Sequence, residues 1–275
     1  MTIIFLGLLF ILGACFGSFL CCQARRMHAR STKKGSRFPS HSICLHCHYR
    51  LKWYDNIPII SWLLLRGRCR KCHKKIGFTE FLAEFLTAFS WLTLGLSFIF
   101  YTKSSLNHFS ASPLDWAIFI ATLFLTLPLI FLAIYDGLYG ELPTSLLIIS
   151  IVVSAIILIL REISWASQSH SGTFSPDYLL QPLGAFLILG GLYFILYLAS
   201  KGKWVGDGDW FLATAIALAL SRVWPALLTL TLANFLAVII MAPILHSRHR
   251  HNLPLGPFLV AAYLIISVAY PYLSL

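Results

Sequence analysis

Acidic side chains are scarce in this 275-residue chain, ten in all against twenty-one Lys and Arg. Charged residues of both signs make up only 11%, where a soluble domain carries about 25%. That shortage excludes a single soluble globular domain. A basic run ahead of the first apolar stretch is also missing. The start "MTIIFLGLLFILGACFGSFLCC" meets its first positive charges afterwards, at Arg25 and Arg26. This polarity is the reverse of a cleaved secretory leader and predicts a retained span with its start outside. No base-stacking motif is interleaved with the basic residues, so the formal charge of +11 does not point to nucleic acid. No clear internal repeat is present either, which removes the usual sign of an alternating-access transporter.

What remains is apolar: 58% hydrophobic residues and a mean hydropathy of +0.79. The fold class expected is an all-α polytopic membrane protein with about eight transmembrane helices and a small four-cysteine zinc-binding cytoplasmic domain. The apolar segments are Ile3–Cys22, Phe81–Tyr101, Leu114–Tyr135, Pro143–Leu160, Leu180–Ala199, Trp210–Leu220, Trp224–Leu245 and Leu255–Tyr272. Most approach the ~20 residues a spanning helix needs, and the sixth falls short. The expected organisation is a first helix at 1–22, a cytoplasmic loop domain at 23–79, and a multi-helix membrane domain at 80–275. Fourteen of the Lys and Arg lie between Arg25 and Lys75, beside the first span. With that block in the cytoplasm, "YTKSSLNHFSASP" and "REISWASQSHSGTFSPD" fall outside. Lys201, Lys203 and "HSRHRHN" fall inside, on the side where the Arg25–Lys75 block offers a contact surface for anionic membrane lipid. The same alternation leaves Asp136 and Asp209 at one face of the bilayer.

The basic block holds "CLHC" and "CRKC", Cys44 and Cys47 then Cys69 and Cys72, with 21 residues between the pairs. Two turns each supplying two thiolates are the spacing of a structural Zn²⁺ site. A cytoplasmic location disfavours disulfides, although a redox pair has the same spacing. His41, His46, His48 and His73 are alternative ligands, but four cysteines suffice. Cys15, Cys21 and Cys22, at the first span, read as small apolar packing residues.

Asp136, in "FLAIYDGLYGELP", ends one apolar run, and Asp209, in "VGDGDWFLA", begins another. Each alone reads equally as a boundary charge or a helix cap. As a pair around one water they have the parts of an aspartic peptidase, one carboxylate taking a proton and the other giving one.

The chain resembles the prepilin peptidase (type IV leader peptidase) family. The likeness rests on "GACFGSFLCCQARR" with its Gly-x-x-x-Gly-Ser-Phe-Leu pattern, Ser42, "CLHC", "DNIPIISWLLLRGRCRKC" and "KIGFTEFLAEF" with Glu84. It continues in "YDGLYGELP", where Pro143 follows Asp136 by seven residues, and in the Gly-x-Gly-Asp of "GDGDWFL". The resemblance implies that Asp136 and Asp209 are catalytic and that Cys44, Cys47, Cys69 and Cys72 hold zinc. It implies removal of short basic leaders from type IV prepilins and pseudopilins at the cytoplasmic face of the inner membrane. For many members it also implies methylation of the new N-terminus by S-adenosylmethionine, for which the sequence identifies no binding residues. The chain departs from the pattern at Leu138, Thr144 and Phe211, and at Cys21-Cys22. The alternative function is a non-enzymatic membrane assembly protein whose zinc loop docks a partner; it leaves the aspartates as boundary charges.

Overall fold

The computed structural model describes residues 2–31, 42–44, 46–104, 111–168, 177–203, 205–248 and 254–273. His41 and the middles of the polar loops at 105–110, 169–176 and 249–253 lie outside the described residues. The chain is an all-α polytopic membrane protein. Among the described residues six helices are long and apolar enough to cross a bilayer, and Gly256–Tyr270 forms a shorter apolar helix. The described residues divide into two compact units, one ending at Gly95 and one beginning at Leu96.

In the first unit, α1 (Thr2–Ser31) packs antiparallel to the first part of α3 (Phe78–Ser104). The approach is too close for side chains. A Cβ on Gly13 would lie 2.8 Å from the Ala88 Cα, and one on Gly17 would lie 2.6 Å from the Ala83 carbonyl oxygen. The Gly13-x-x-x-Gly17 stripe therefore serves a contact inside the chain, where backbone proximity supplies dispersion contacts that lipid cannot. Polar groups extend the same seam: Ser18 hydrogen-bonds Glu84, and Arg25 pairs with Glu80. The connecting segment carries a 3₁₀ turn at Trp53–Asn56 and a short α2 (Ile60–Leu64).

The second unit contains α4 (Pro113–Tyr139), α5 (Thr144–Gln168), α6 (Asp177–Phe186), α7 (Leu192–Ser200), α8 (Asp207–Leu220), α9 (Val223–Arg248) and α10 (Gly256–Leu273). A π-turn at Leu187–Gly191 joins α6 to α7. Helix α4 begins in a capping box, with Ser112 Oγ accepting from Asp115 N and the Asp115 carboxylate accepting from Ser112 N. It ends at Gly140, which takes the left-handed φ of 70° that a side chain disfavours. Leu142 and Pro143 then turn the chain into α5.

Helix α8 is the core of this unit. Apart from Trp210, Phe211 and Leu218, its residues from Gly208 to Leu220 are buried, and it packs against α5, α6, α7, α9, α10 and the π-turn. Its 14 residues make about 21 Å of helix, short of a ~30 Å hydrocarbon core. Its end groups therefore need partners from protein. Arg161 of α5 supplies them at the C-terminus, donating from Nη1 to the carbonyls of Ala219 (2.6 Å) and Leu220 (3.3 Å). A cation there also complements the helix dipole. Gln181 of α6 performs a similar service at the start of α9, its Oε1 accepting from Val223 N at 3.2 Å.

Arg161→Ala strips two buried carbonyls of a charged donor. It is expected to lower stability in detergent by about 1–3 kcal/mol, read as an earlier thermal or denaturant transition.

Candidate active site and metal centre

The two cysteine motifs of the first unit fold into matching knuckles. In one, Cys44 N donates to the Tyr49 carbonyl and His48 N to that of Cys44. In the other, Cys69 N donates to the Lys74 carbonyl and His73 N to that of Cys69. Isolated antiparallel bridges close both, Ile43 with Arg50 and Arg68 with Lys75. His48 and His73 occupy the same place in their knuckles, each at left-handed φ, 53° and 55°, a conformation histidine tolerates better than most side chains.

All four sulfurs lie within 4.8 Å of one another, with Cys44 and Cys72 Sγ 3.9 Å apart and Cys47 and Cys69 Sγ 4.0 Å apart. Tetrahedral zinc with ~2.3 Å bonds needs sulfurs about 3.8 Å apart. The cluster is thus capable of coordinating a metal, and its donors suit zinc. Burial opposes a thiolate at Cys69, but N–H groups of Cys72 and Lys71 and the neighbouring thiols outweigh it and bring the group down to about 7. Asp55, itself buried, ties the 3₁₀ turn to the second knuckle by accepting from Arg70 Nε at 2.7 Å.

Sequence reasoning missed a cavity of about 440 Å³ in the same unit, lined among others by Arg25, Asp55, Cys69, Arg70, Glu80 and Glu84. Glu84 is buried and accepts from Ile59 N at 2.7 Å. Ile59 has φ 63°, a genuine outlier for a β-branched residue. The Glu84 bond helps hold that strained turn beside the cavity.

In the second unit, Asp136 lies in the last turn of α4 and Asp209 in the first turn of α8, 6% and 7% exposed. The two stand at adjoining helix ends. The backbone explains the approach. A Cβ on Gly208 would stand 2.6 Å from that of Leu142, so the start of α8 abuts the turn that follows α4. Each carboxylate is pinned by one backbone N–H: Gly206 N donates to Asp209 Oδ2 at 3.0 Å, and Gly256 N donates to Asp136 Oδ2 at 2.9 Å.

The Gly256 contact was missed, and only "LGPF" at the start of the last apolar segment hinted at it. Gly256 is the first residue of α10, where N–H groups lack helical partners and favour an anion. A Cβ there would lie 2.8 Å from Asp136 Oδ2. Asp207 and Glu141 are exposed nearby in sequence, at the start of α8 and after α4.

The profile of the "Bacterial Peptidase A24 N-terminal domain" matches residues 11–98. A "Prepilin leader peptidase/N-methyltransferase" of Myxococcus xanthus is 31% identical over 228 residues, covering 74% of this chain and 62% of the relative's length. The protein of the same description from Vibrio cholerae is 27% identical over 286 residues, covering 97% of both. A "Type 4 prepilin-like proteins leader peptide-processing enzyme" of Escherichia coli is 47% identical over 55 residues, 20% of each chain. No solved structure matches the chain.

The purified protein is expected to carry one zinc per chain. Acidification should release it, because protons compete for thiolates; Cys69→Ser should lose it at neutral pH, as measured by metal analysis. Gly256→Ala is expected to displace the Asp136 carboxylate and to lower by about 100-fold the kcat of any reaction that depends on it. KM and the unfolding transition should stay near wild type. At the level of family, this chain matches the prepilin leader peptidases and their A24 N-terminal domain.

Proposed function

We propose that the protein is an aspartic endopeptidase that removes the short basic leader from type IV prepilins and pseudopilins, with Asp136 and Asp209 as its catalytic pair. The single observation that carries this reading is that the start of α8 abuts the turn after α4, so that two buried carboxylates, each fixed by a glycine N–H, stand at adjoining helix ends. Two like charges so placed favour a shared proton. The ionised carboxylate takes a proton from water as the oxygen attacks the scissile carbonyl. The protonated one donates to the carbonyl oxygen. Collapse of the tetrahedral adduct returns a proton to the leaving nitrogen as the carbon–nitrogen bond breaks. No covalent acyl-enzyme forms.

In this reading eight helices cross the inner membrane and the pair faces the cytoplasm. The chain is organised as a first helix at 1–22, a zinc-holding cytoplasmic loop domain at 23–79 and a peptidase domain at 80–275. The substrate keeps its apolar helix in the bilayer and presents its leader at the cytoplasmic edge. Zinc bound by Cys44, Cys47, Cys69 and Cys72 is structural: with four thiolates it has no open position for water.

N-methylation, the second activity named for the relatives, needs S-adenosylmethionine. The cavity of the first unit lies within the ~300–1,000 Å³ of small-molecule sites, and its mixed lining, Glu80 and Glu84 among Arg25, Arg26, Arg70, Lys74 and Lys75, suits a group that carries a carboxylate as well as positive charge. Bound there, the group would supply an electrophilic methyl. Glu80 and Glu84 would hold its positive charge and Asp55 a polar edge.

The test is cleavage of a leader-bearing pilin by the purified protein in detergent, followed by mass spectrometry. Asp136→Asn and Asp209→Asn should each remain folded and abolish leader loss, and full activity in both overturns the assignment. Addition of S-adenosylmethionine should add the mass of one methyl group to the trimmed product.

A further inference from the structure

The segment between the two cysteine knuckles presents apolar side chains that neither the metal centre nor the cavity uses. In α2, Ile60, Leu63 and Leu64 are 55%, 54% and 78% exposed. Their spacing of three and four residues places them on one face of the helix. Trp62 falls on the opposite face, its ring 4.6 Å from that of Phe81 and 6.0 Å from that of Phe78, in the first turn of α3. A Cβ on Gly67 would lie 2.8 Å from Trp62 Cζ2. The indole is thus clamped between that turn and α3, and the face carrying Ile60, Leu63 and Leu64 is turned outward.

Two attachments fix how deep this face sits. Trp62 holds α2 beside Phe78 and Phe81, and the bond from Ile59 N to Glu84 Oε2 at 2.7 Å holds its start to the next turn of α3. Phe78 is also the first residue of the apolar stretch of α3 that can cross a bilayer. From Phe78 to Glu84 is about 9 Å of helix, so α2 lies at the edge of the hydrocarbon layer. Its contact continues into the exposed surface of the spanning helix. Phe81, Phe85 and Phe89 stack along α3 with ring centroids 6.0 Å and 5.9 Å apart, and Phe85 and Phe89 are exposed.

The surroundings of this apolar face are basic. Between residues 46 and 79 the single acid is Asp55, which is buried and paired with Arg70. Arg66, Arg68, Lys71 and Lys74 are exposed. An open groove of about 510 Å³ follows α2, lined among others by Leu64, Leu65, Arg66, Arg68, Arg70 and His73. Aliphatic side chains bordered by cations, held at the level where a spanning helix begins, have the make-up of an interfacial membrane element. We propose that α2 docks on the bilayer, with Ile60, Leu63 and Leu64 in the acyl boundary and the arginines after it against anionic phospholipid headgroups. The knuckle region is then held to the membrane surface by α2 as well as by the helices that flank it in the chain. The proposal goes beyond the peptidase reading and does not depend on it.

The experiment uses the full chain in nanodiscs of phosphatidylcholine, with or without phosphatidylglycerol. A photoreactive benzoylphenylalanine takes the place of Leu64 or, as reference, of Leu86, an exposed residue in the spanning part of α3. After irradiation, mass spectrometry measures adducts to lipid. Position 64 should give a yield comparable to position 86. Phosphatidylglycerol should raise the yield at position 64 several-fold at low salt, and about 1 M salt should remove the increase. Ile60→Asp combined with Leu63→Asp puts charge on the docking face and should lower that yield about tenfold or more, with metal content unchanged. Absence of lipid adducts at position 64 overturns the proposal. So do adducts to a second copy of the chain in place of lipid, or a yield that survives the double substitution. Equal yields in the two lipid mixtures overturn the role of the arginines. If the double variant loses metal, the comparison of positions 64 and 86 in the otherwise unchanged chain decides alone.

Discussion

Helix α8 is apolar, nearly all buried and about a third shorter than the hydrocarbon layer is thick. Neither end of such a helix can be left for lipid to solvate, since each unpaired amide or carbonyl in hydrocarbon costs several kcal/mol. The C-terminal end is closed by Arg161. At the N-terminal end Asp209 accepts from Gly206 N, half of a capping box, since glycine has no side chain to return the bond. The acid at this helix start is also the one proposed to act with Asp136. A charge that would be expensive anywhere else in the bundle sits where the helix itself requires an anion. Its place follows from how short α8 is, and that shortness draws the chain around it into the same region.

The first unit obeys a different constraint. Its connecting segment has little apolar residue to bury, so local geometry must be fixed by cross-links of another kind. Two knuckles of the same backbone form present four sulfurs at the spacing of a tetrahedron. The Arg70–Asp55 pair and the Ile59–Glu84 bond then connect the knuckle region to a turn and to α3. Both acids are shielded from water, and each has a donor. The cavity that results has mixed charge: Asp55, Glu80 and Glu84 line it together with Arg25, Arg26, Arg70, Lys74 and Lys75.

Much of this was legible in the residues. Each of the eight apolar segments corresponds to helix, and the one too short to span on its own, Trp210–Leu220, belongs to the buried α8. The paired Cys-x-x-Cys motifs announced their cluster because ligand spacing is local to each knuckle. The contacts that sequence reading missed are non-local and made by backbone. Gly256 reaches Asp136 across 120 residues through an N–H group that every residue but proline possesses; only the absence of a side chain marks it. The partner of Gly13 and Gly17 was likewise invisible, because a small-residue stripe specifies close packing without saying against what.

The departures from the prepilin peptidase pattern acquire a physical meaning from their positions. Leu138, where a second acid is common, is 37% exposed, on the same helix as the buried Asp136. Thr144 is exposed at the start of α5, and Phe211 stacks on Trp210 with ring centroids 3.8 Å apart. The hydrogen bonds that fix the two aspartates come from Gly206 and Gly256 and involve none of these three residues. None of the three therefore bears on how these aspartates are held: the carboxylates are fixed by backbone N–H groups that side-chain substitution elsewhere does not remove. On the proposed peptidase reading, the surface around the pair is then free to vary with the leader being cut.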